Sequence, residues 1–359
     1  MIKPGGTIGI LGGGQLGRML AMAAAQLGYS CHIYAPDRAS VAADVSAQFT
    51  CAAWSDEIAL ARFAADCDVV TFEFENVPVA PLAAIENKLA PHPRALETAQ
   101  DRLREKRFAQ ELGGTPAPYA PVDSMEDLNA AIERIGAPGI LKTRAEGYDG
   151  KGQWRIGSAR EAAGIRLPDA AAIYEGLVRF TAEFSVILVR GHDGEIRFWD
   201  SAENVHEHGV LARSSLPASD LVLAQVEQAR DLAAKIAEAL AYVGVLTCEF
   251  FATDEGGDGP PIFNEMAPRV HNSGHWSIEG AQTSQFENHI RAICGLPLGS
   301  TQTLMPQLTM TNLIGAEALT AHELLDNPSA HLHLYGKHDA REGRKMGHVT
   351  WTPAGDQPE

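Results

Sequence analysis

The sequence predicts a protein of mixed α/β and α+β architecture built from several modules. A short apolar strand, a glycine-rich turn and a helix open the chain, an order typical of a parallel α/β domain. Two later pairs of strand-like runs are each joined by a turn-rich segment, which predicts hairpins in the middle of the chain. At 359 residues the chain is long enough for two or three such modules.

The first module is predicted to be a Rossmann-like domain that ends near residue 95. Strands are expected at residues 7–11, 30–34 and 69–72, and a helix follows the first strand to about Leu27. Each strand is short and apolar, as expected for strands that are covered on both faces of a sheet.

The turn after the first strand is rich in glycine. Gly12, Gly14 and Gly17 match the pattern G-x-G-x-x-G, and Asp37 follows the second strand. Such a turn exposes backbone amides at the start of a helix to an anion. Taken alone, the pattern fits NAD, and it fits the phosphate or ribose of a mononucleotide equally well.

The second module begins with helices and a glycine-rich hairpin. Ser124 is expected to start a helix with an acidic residue at its third position, a variant of the capping box. Strands at residues 140–142 and 154–156 flank the tip of the hairpin, residues 147–153. This tip has three glycines within six residues, more than an ordinary turn requires.

The composition of this tip indicates a loop that closes over phosphates. Glycine allows close approach of the backbone, and Lys151 supplies a positive charge beside Tyr148 and Asp149. Lys142, on the preceding strand, offers a fixed ammonium group. Further along, the apolar run 172–178 contains one acid, Glu175, and suits contact with adenine and ribose. A core strand that ends at Glu175 explains this run equally well.

Two glutamates on a second predicted hairpin indicate a metal site. Glu249 and Glu265 lie in apolar strand-like runs that are joined by the turn-rich residues 254–261. Carboxylates on apolar strands are costly unless a cation meets them, and two that face each other repel. Oxygen ligands on neighbouring strands suit Mg²⁺, which usually also takes oxygens from a phosphate.

A polar loop follows the second acidic strand directly. His271 and His275 have the spacing of a helical zinc pair, but Pro268 and Gly274 favour a loop. No glutamate follows the first histidine, as a zinc metalloprotease would require. We therefore interpret residues 266–276 as polar contacts to a substrate. After a boundary near Leu296, a short helix capped at Thr320 and paired strands at 332–335 and 348–351 are expected.

Composition argues against some classes of partner and indicates the cellular compartment. The net charge of −17 argues against a nucleic-acid surface, which needs a basic face. Five cysteines without Cys-x-x-Cys spacing indicate free thiols in a reducing compartment. The first residues lack the apolar core of a signal peptide, and no apolar run is long enough to span a bilayer. We expect a cytoplasmic protein without a membrane or nucleic-acid partner.

Together, the acidic hairpin, Lys142 before the glycine-rich loop and the Glu175 segment resemble the ATP-grasp carboxylate-amine ligases across nearly the whole chain. Within that superfamily, four segments in the expected order are similar to the 5-(carboxyamino)imidazole ribonucleotide synthetases of purine biosynthesis. These segments are residues 12–19, 72–78, 147–153 and 269–276. Four motifs in order are far more specific than any one of them.

The resemblance implies an ATP-grasp fold between two smaller domains. The N-terminal Rossmann-like (pre-ATP-grasp) domain would span residues 1–95 and a β-rich C-terminal domain residues 296–359. The ATP-grasp domain would span residues 96–295, with a lid subdomain over about 115–180.

The resemblance also implies a set of contacts to nucleotide, metal and acceptor. ATP would be contacted by Arg102, Lys142, Gly147, Tyr148, Asp149, Gly150, Lys151, Gly152, Gln153, Glu175, Gly176, Leu177, Val178, Glu183, His206, Asn264 and Glu265. Mg²⁺ would be held by Glu249 and Glu265. Aminoimidazole ribonucleotide would be contacted by Gly14, Gln15, Leu16, Glu73, Glu75, Asn76, Arg269, His271, Asn272, Ser273, Arg344 and Lys345. The residues with catalytic roles would be Tyr148, Asp149, Lys151, Arg269 and Lys345.

The activity implied by the resemblance is ATP-dependent carboxylation of aminoimidazole ribonucleotide by bicarbonate, through carboxyphosphate, in a homodimeric enzyme. One departure is Glu203, where many relatives are expected to have histidine. Three other classes of function stay open. They are a sister ligase with another acyl donor, an NAD-dependent oxidoreductase, which leaves Glu249 and Glu265 unexplained, and a catalytically silent nucleotide-binding protein.

Overall fold

The structure is a computed structural model that describes residues 1–145, 152–254 and 259–353. Its strands form three sheets. No helix within these ranges is both long and apolar enough to cross a lipid bilayer. Beyond the longer helices, short 3-10 segments lie at Ala43–Val45, Ala83–Lys88, Asn272–Gly274, Gly315–Leu319 and Ala321–Asp326.

The N-terminal sheet has the predicted parallel strands, together with one further strand and a second long helix. Its elements are β1 (Thr7–Leu11), α1 (Gln15–Gln26), β2 (Ser30–Ala35), β3 (Gln48–Cys51), α2 (Glu57–Ala65), β4 (Val69–Phe72), α3 (Val79–Leu82) and α4 (Arg94–Ala99). The strand order is β3-β2-β1-β4. Ile8 and Ile10 are fully buried, which is expected when helices cover both faces of a parallel sheet.

The chain then passes into a small antiparallel sheet. The elements of this part are α5 (Arg102–Glu111), β5 (Thr115–Pro116), β6 (Tyr119–Val122), α6 (Met125–Ile135), β7 (Gly139–Thr143), β8 (Gln153–Ile156), α7 (Ala159–Ala162) and β9 (Ala172–Gly176). Strands β6, β9, β7 and β8 pair in that order, which confirms the predicted glycine-rich hairpin of β7 and β8. At the start of α6, the Ser124 hydroxyl accepts a hydrogen bond from the Asp127 amide, which confirms the predicted cap.

A large sheet forms the centre of the molecule. Its elements are β10 (Ala182–Arg190), β11 (Ile196–Phe198), β12 (Glu203–Glu207), β13 (Val210–Leu216), α8 (Asp220–Ala239), β14 (Gly244–Ala252), β15 (Ile262–Ala267), α9 (Ser277–Gly280), α10 (Gln285–Ile293), β16 (Leu308–Ile314), β17 (Ala330–Leu334) and β18 (Lys345–Trp351). Ten strands pair in the order β17-β18-β16-β13-β12-β10-β14-β15-β5, with β11 beside β10. Helix α8 packs on one face through apolar side chains, Val222, Val226 and Leu232 among them.

Two features of the C-terminal part differ from the sequence-based expectation. Strands β17 and β18 pair as predicted, but β16 also pairs with β13, so these strands continue the central sheet. The helix expected after Thr320 is a 3-10 segment, and the Thr320 side chain makes no capping hydrogen bond. The predicted cap at Thr320 is therefore wrong, because its backbone does not adopt the extended conformation of an N-cap residue.

Candidate active site

The predicted acidic hairpin is confirmed. Strands β14 and β15 are antiparallel, and Glu249 lies directly opposite Glu265 across them. The Glu249 side chain is 13% exposed, whereas that of Glu265 is 40% exposed. Burial, together with the charge of Glu265, raises the pKa of Glu249 to about 7. Two carboxylates thus share a site where only one ionises readily without an added cation.

Arg102 meets this pair from the first turn of α5. Its guanidinium donates to Glu265 at 2.9 Å, and its side chain is largely buried. Burial alone would raise the pKa of Glu265, but the charge and hydrogen bond of Arg102 hold it below its usual value. Asp101 caps α5 by accepting from the amides of Leu103 and Arg104, which fixes the start of the helix.

A second group of buried charges joins the small sheet to the central one. Lys142 on β7 donates to the Glu175 carboxylate on β9 at 2.9 Å. Lys106 on α5 lies 3.3 Å from the same oxygen and also donates to the Asn264 carbonyl at 3.1 Å. Burial would raise the pKa of Glu175, but the two lysines lower it. The Glu175 carboxylate is therefore ionised, and it lies beside Lys142, a contact that the sequence did not specify.

Other predicted nucleotide contacts lie on or next to strands β8, β9, β10 and β12. Glu183 on β10 and His206 on β12 are paired, with 2.5 Å between Oε2 and Nδ1. Leu177 and Val178 follow β9 and are half-buried, and Gly176 ends that strand. Gln153 is exposed on β8 and pairs in register with Lys142, and Gly152 precedes it in a left-handed turn. Gly147, Tyr148, Asp149, Gly150 and Lys151 lie outside the described residues, as do residues 255–258 of the acidic hairpin.

The first glycine turn is joined to the segment that follows β4. The carboxylate of Glu73 accepts from the amide of Gly14 at 2.8 Å and from that of Gly17 at 3.3 Å. Burial raises the pKa of Glu73, although these amides counteract the shift. Gln15 is half-buried and Leu16 is buried at the start of α1. The anion-binding amides of the turn therefore face a carboxylate of the protein itself.

The polar loop after β15 is also tied to this segment. Arg269 donates twice to one oxygen of Glu75, from Nε at 2.9 Å and from a terminal nitrogen at 2.6 Å. Asn76 is half-buried beside Glu75. The structure therefore brings together the residues at 73–76 and 269–273, which are almost two hundred positions apart in the chain.

Neutral groups hold the remainder of the loop. His271 Nδ1 is 2.8 Å from the Ser273 hydroxyl, and its Nε2 is 3.7 Å from Glu249 Oε1. Burial, with the charges of Arg269 and Lys345, lowers the pKa of His271 well below its usual value, so its ring is uncharged. Lys345 lies at the start of β18, so one of the charges that lower this pKa comes from the C-terminal strands. Arg344 beside it donates to the Asp339 carbonyl at 2.9 Å.

A buried hydrogen-bond network supports this loop. The Ser273 hydroxyl donates to Ser185 on β10, and Asn204 on β12 donates to the same Ser185 oxygen. The amides of Asn272 and Asn312 bond to each other at 2.9 and 2.7 Å. The polar loop is thereby bonded to β10 and β16 directly and to β12 through Ser185.

Several of these supporting residues were missed from the sequence. They are Glu105, Lys106, Ser185, Asn204, Gln285 and Asn312. The sequence carried no signal for Glu105 and Lys106, because charged residues in the first turns of a helix are expected to be solvated, whereas both are buried in the structure. Glu203 has a structural role, because its carboxylate accepts from the Ser219 amide at the start of α8 at 3.0 Å.

Three family models match the chain. The model of the ribonucleotide synthetase preATP-grasp domain matches residues 6–100, and the ATP-grasp domain model matches residues 107–286. The model of the phosphoribosylaminoimidazole carboxylase C-terminal domain matches residues 309–356.

Individual relatives cover almost the full chain. The N5-carboxyaminoimidazole ribonucleotide synthase of Brucella melitensis is 49% identical over 97% of this chain and 97% of its own length. The crystal structure of the corresponding synthetase from Thermus thermophilus has a TM-score of 0.88 and 47% identity, covering 96% of this chain and 93% of that one. The synthase from Aspergillus clavatus, solved with ADP and 5-aminoimidazole ribonucleotide, has a TM-score of 0.89 and 32% identity, covering 97% and 94%.

Proposed function

The chain belongs to the N5-carboxyaminoimidazole ribonucleotide synthase family of ATP-grasp enzymes, and we propose that it carboxylates 5-aminoimidazole ribonucleotide with bicarbonate at the expense of ATP. The products would be N5-carboxyaminoimidazole ribonucleotide, ADP and phosphate. The observation that carries this proposal is the position of the acidic pair. Glu265 meets the cation Arg102, while Glu249 faces the neutral ring of His271 on the loop that follows β15.

ATP would bind on the side of the acidic pair where the cations lie. Arg102 and Lys142 are held by carboxylates there, and they can be shared with phosphate oxygens. Glu175 Oε1 is buried and has no hydrogen-bond partner among the described residues, so it could accept from a nucleotide hydroxyl or amine. The backbone of residues 176–178 runs beside it and would contact the base.

The acidic pair fits Mg²⁺. Glu249 and Glu265 face each other, and burial together with the charge of Glu265 raises the pKa of Glu249, a cost that a bound cation would relieve. Carboxylate oxygens are ligands that Mg²⁺ prefers, and both residues would hold the ion. When bound, the ion would supply positive charge that offsets the negative charge of the phosphates.

The reaction needs activation of bicarbonate, which is a poor electrophile. A bicarbonate oxygen would attack the γ-phosphorus of ATP, and the bond to ADP would break to give carboxyphosphate. The exocyclic amine of the imidazole would then attack the carboxyl carbon, and phosphate would leave as the amine loses a proton. Arg269, whose guanidinium is held in place by Glu75, would orient the bicarbonate.

The glycine-rich loop would supply the remaining groups. Lys151 would offset negative charge, Asp149 would accept the amine proton, and Tyr148 would reach toward the reacting end. Closure of residues 147–153 would exclude water from a readily hydrolysed intermediate. These roles rest on the family resemblance.

We propose a cytoplasmic homodimer for the assembled enzyme. All five cysteines are free thiols, as expected for a reducing compartment. The dimer is proposed from the family resemblance alone.

The test measures ATP hydrolysis with and without 5-aminoimidazole ribonucleotide, in the presence of Mg²⁺ and carbon-labelled bicarbonate. We expect the imidazole substrate to stimulate hydrolysis and the label to appear in an acid-labile product. An active ATPase that yields no labelled product would overturn the assignment. Stimulation by formate in place of bicarbonate would instead identify a ligase with another acyl donor.

A further inference from the structure

Helix α10 begins at Gln285, and the buried side-chain amide of this residue contacts the polar loop of residues 266–276. The Gln285 side chain is completely buried at the first position of the helix. Its Oε1 accepts from the His271 amide at 2.9 Å, and its Nε2 donates to the His271 carbonyl at 2.6 Å. One amide side chain thus satisfies both backbone groups of a single loop residue.

The same helix start holds the other end of the loop. The backbone amide of Gln285 donates to the Ser277 hydroxyl at 3.0 Å, and that hydroxyl donates to the Gly274 carbonyl at 2.6 Å. A Cβ atom on Gly274 would come within 2.9 Å of the Gln285 side chain, so the two are in direct contact. The loop from 271 to 277 is therefore fixed by one turn of α10.

We propose that Gln285 is a positioning residue for the acceptor site and acts through the backbone of His271. This inference rests on the proposed function, in which residues 269–273 contact the imidazole substrate. The backbone at His271 carries the ring that lies 3.7 Å from Glu249, and it follows closely after Arg269, whose guanidinium is bonded to Glu75. An ionised carboxylate in place of this amide would only accept, so it would leave the His271 carbonyl without a donor.

Asn288 provides a matched control within the same helix. It is also completely buried, and its amide makes the same pair of bonds, accepting from the Gly299 amide at 2.7 Å and donating to the Gly299 carbonyl at 3.1 Å. Gly299 lies in the connection between α10 and β16, outside the polar loop and the two strands of the acidic pair. The effects of substituting Asn288 therefore measure the structural cost of breaking such a pair of hydrogen bonds.

The experiment compares the variants Gln285→Glu, Gln285→Met and Asn288→Asp with the unmodified full-length protein. Thermal unfolding is recorded for each, and steady-state kinetics are measured by varying 5-aminoimidazole ribonucleotide at saturating ATP and then the reverse. Gln285→Met keeps the length of the side chain without placing a charge in the interior, so the result does not depend on one variant folding.

We expect both Gln285 variants to raise the KM for the imidazole substrate about tenfold, as for the loss of one buried hydrogen bond, with the KM for ATP changed less than about twofold. Asn288→Asp should lower the melting temperature by an amount similar to that of the Gln285 variants, and it should leave both KM values unchanged. An equal rise of the two KM values, or the same rise in Asn288→Asp, would overturn the inference. Failure of the proposed function is distinguishable, because the unmodified protein would then show no stimulation by the imidazole substrate.

Discussion

Buried lysine–carboxylate pairs lie on one side of the acidic hairpin, whereas on the other side neutral hydrogen-bonded side chains accompany the ion pair of Arg269 with Glu75. On the nucleotide side, Lys106 and Lys142 share the Glu175 carboxylate. On the acceptor side, the amides of Asn272 and Asn312 bond reciprocally, and the amide of Gln285 clamps the loop. The two halves meet at the acidic pair.

The difference reflects what each half is proposed to bind. A lysine ammonium is a compact charge that can exchange one anionic partner for another, which suits a polyphosphate that arrives and leaves. Amide pairs have a fixed direction of donation, and they hold a backbone in one geometry. In the proposed function, the nucleotide half would mainly supply charge, and the acceptor half would mainly supply orientation.

The largest effect is expected where the two halves meet. Glu265→Gln removes a carboxylate from the acidic pair and weakens the bond to Arg102, and turnover should fall by at least about 100-fold. Steady-state turnover at saturating substrates measures this. Glu195→Gln, at an exposed turn where the carboxylate pairs with Arg197, should retain full turnover. Normal activity of Glu265→Gln would contradict the metal assignment.

A smaller effect, confined to the nucleotide half, is expected for Lys106→Met. The change leaves Asn264 without its side-chain donor and Glu175 with one lysine, so the KM for ATP should rise about tenfold and the melting temperature should fall. The KM for the imidazole substrate should hold within about twofold. Lys88→Met, which removes a bond to the Cys67 carbonyl, should affect stability without affecting the KM for ATP. If Lys106→Met raised both KM values equally, the two halves would not be separable.

The complementary change in the acceptor half is Asn312→Ala. It leaves the buried Asn272 amide unpaired, at a cost of about 1–3 kcal/mol in stability. The KM for the imidazole substrate should rise a few-fold, and the KM for ATP should not change. Asn327→Ala loses a local bond to the Ser329 amide, and it should match the unmodified protein in stability and in both KM values. A selective loss of ATP affinity in Asn312→Ala would reverse the comparison.

The smallest effect concerns a buried acid behind the nucleotide half. Burial and the nearby charge of Glu265 raise the pKa of Glu105 from 4.5 to about 8. The folded protein then keeps a proton that the unfolded chain releases above its own lower pKa, so stability falls as the pH rises from about 4.5 to about 8. Glu105→Gln retains an acceptor for the Met266 amide without this proton.

Melting temperatures of Glu105→Gln between about pH 6 and about pH 8.5 should therefore fall less than those of the unmodified protein. Glu111→Gln, exposed at the end of the same helix, should keep the original slope. An unchanged slope in Glu105→Gln would show that this carboxyl does not titrate in that window.

Local patterns in the sequence predict the hairpin that carries Glu249 and Glu265 and the hairpin that carries Lys142. Alternation, apolar runs and turn residues fix these elements within short stretches of chain. The facing of the two acids follows from the register of one hairpin, so it is accessible to sequence analysis.

The partners of these residues are not accessible in the same way. Lys106 reaches Asn264 across 158 positions, and Asn312 reaches Asn272 across 40. Such pairs depend on how elements pack, and a single sequence contains no local pattern for them. Gln285 is only 14 positions from His271, but its role depends on the entry angle of α10, which periodicity does not specify.

The pairing of β16 with β13 makes the C-terminal strands difficult to remove. If the chain ended before Leu308, the edge of β13 would lose its partner from Arg213 to Leu216. That edge includes buried positions, and exposed strand edges of this kind recruit other chains. The last strands therefore also protect the protein from aggregation, and a shortened version should be recovered mainly as insoluble material.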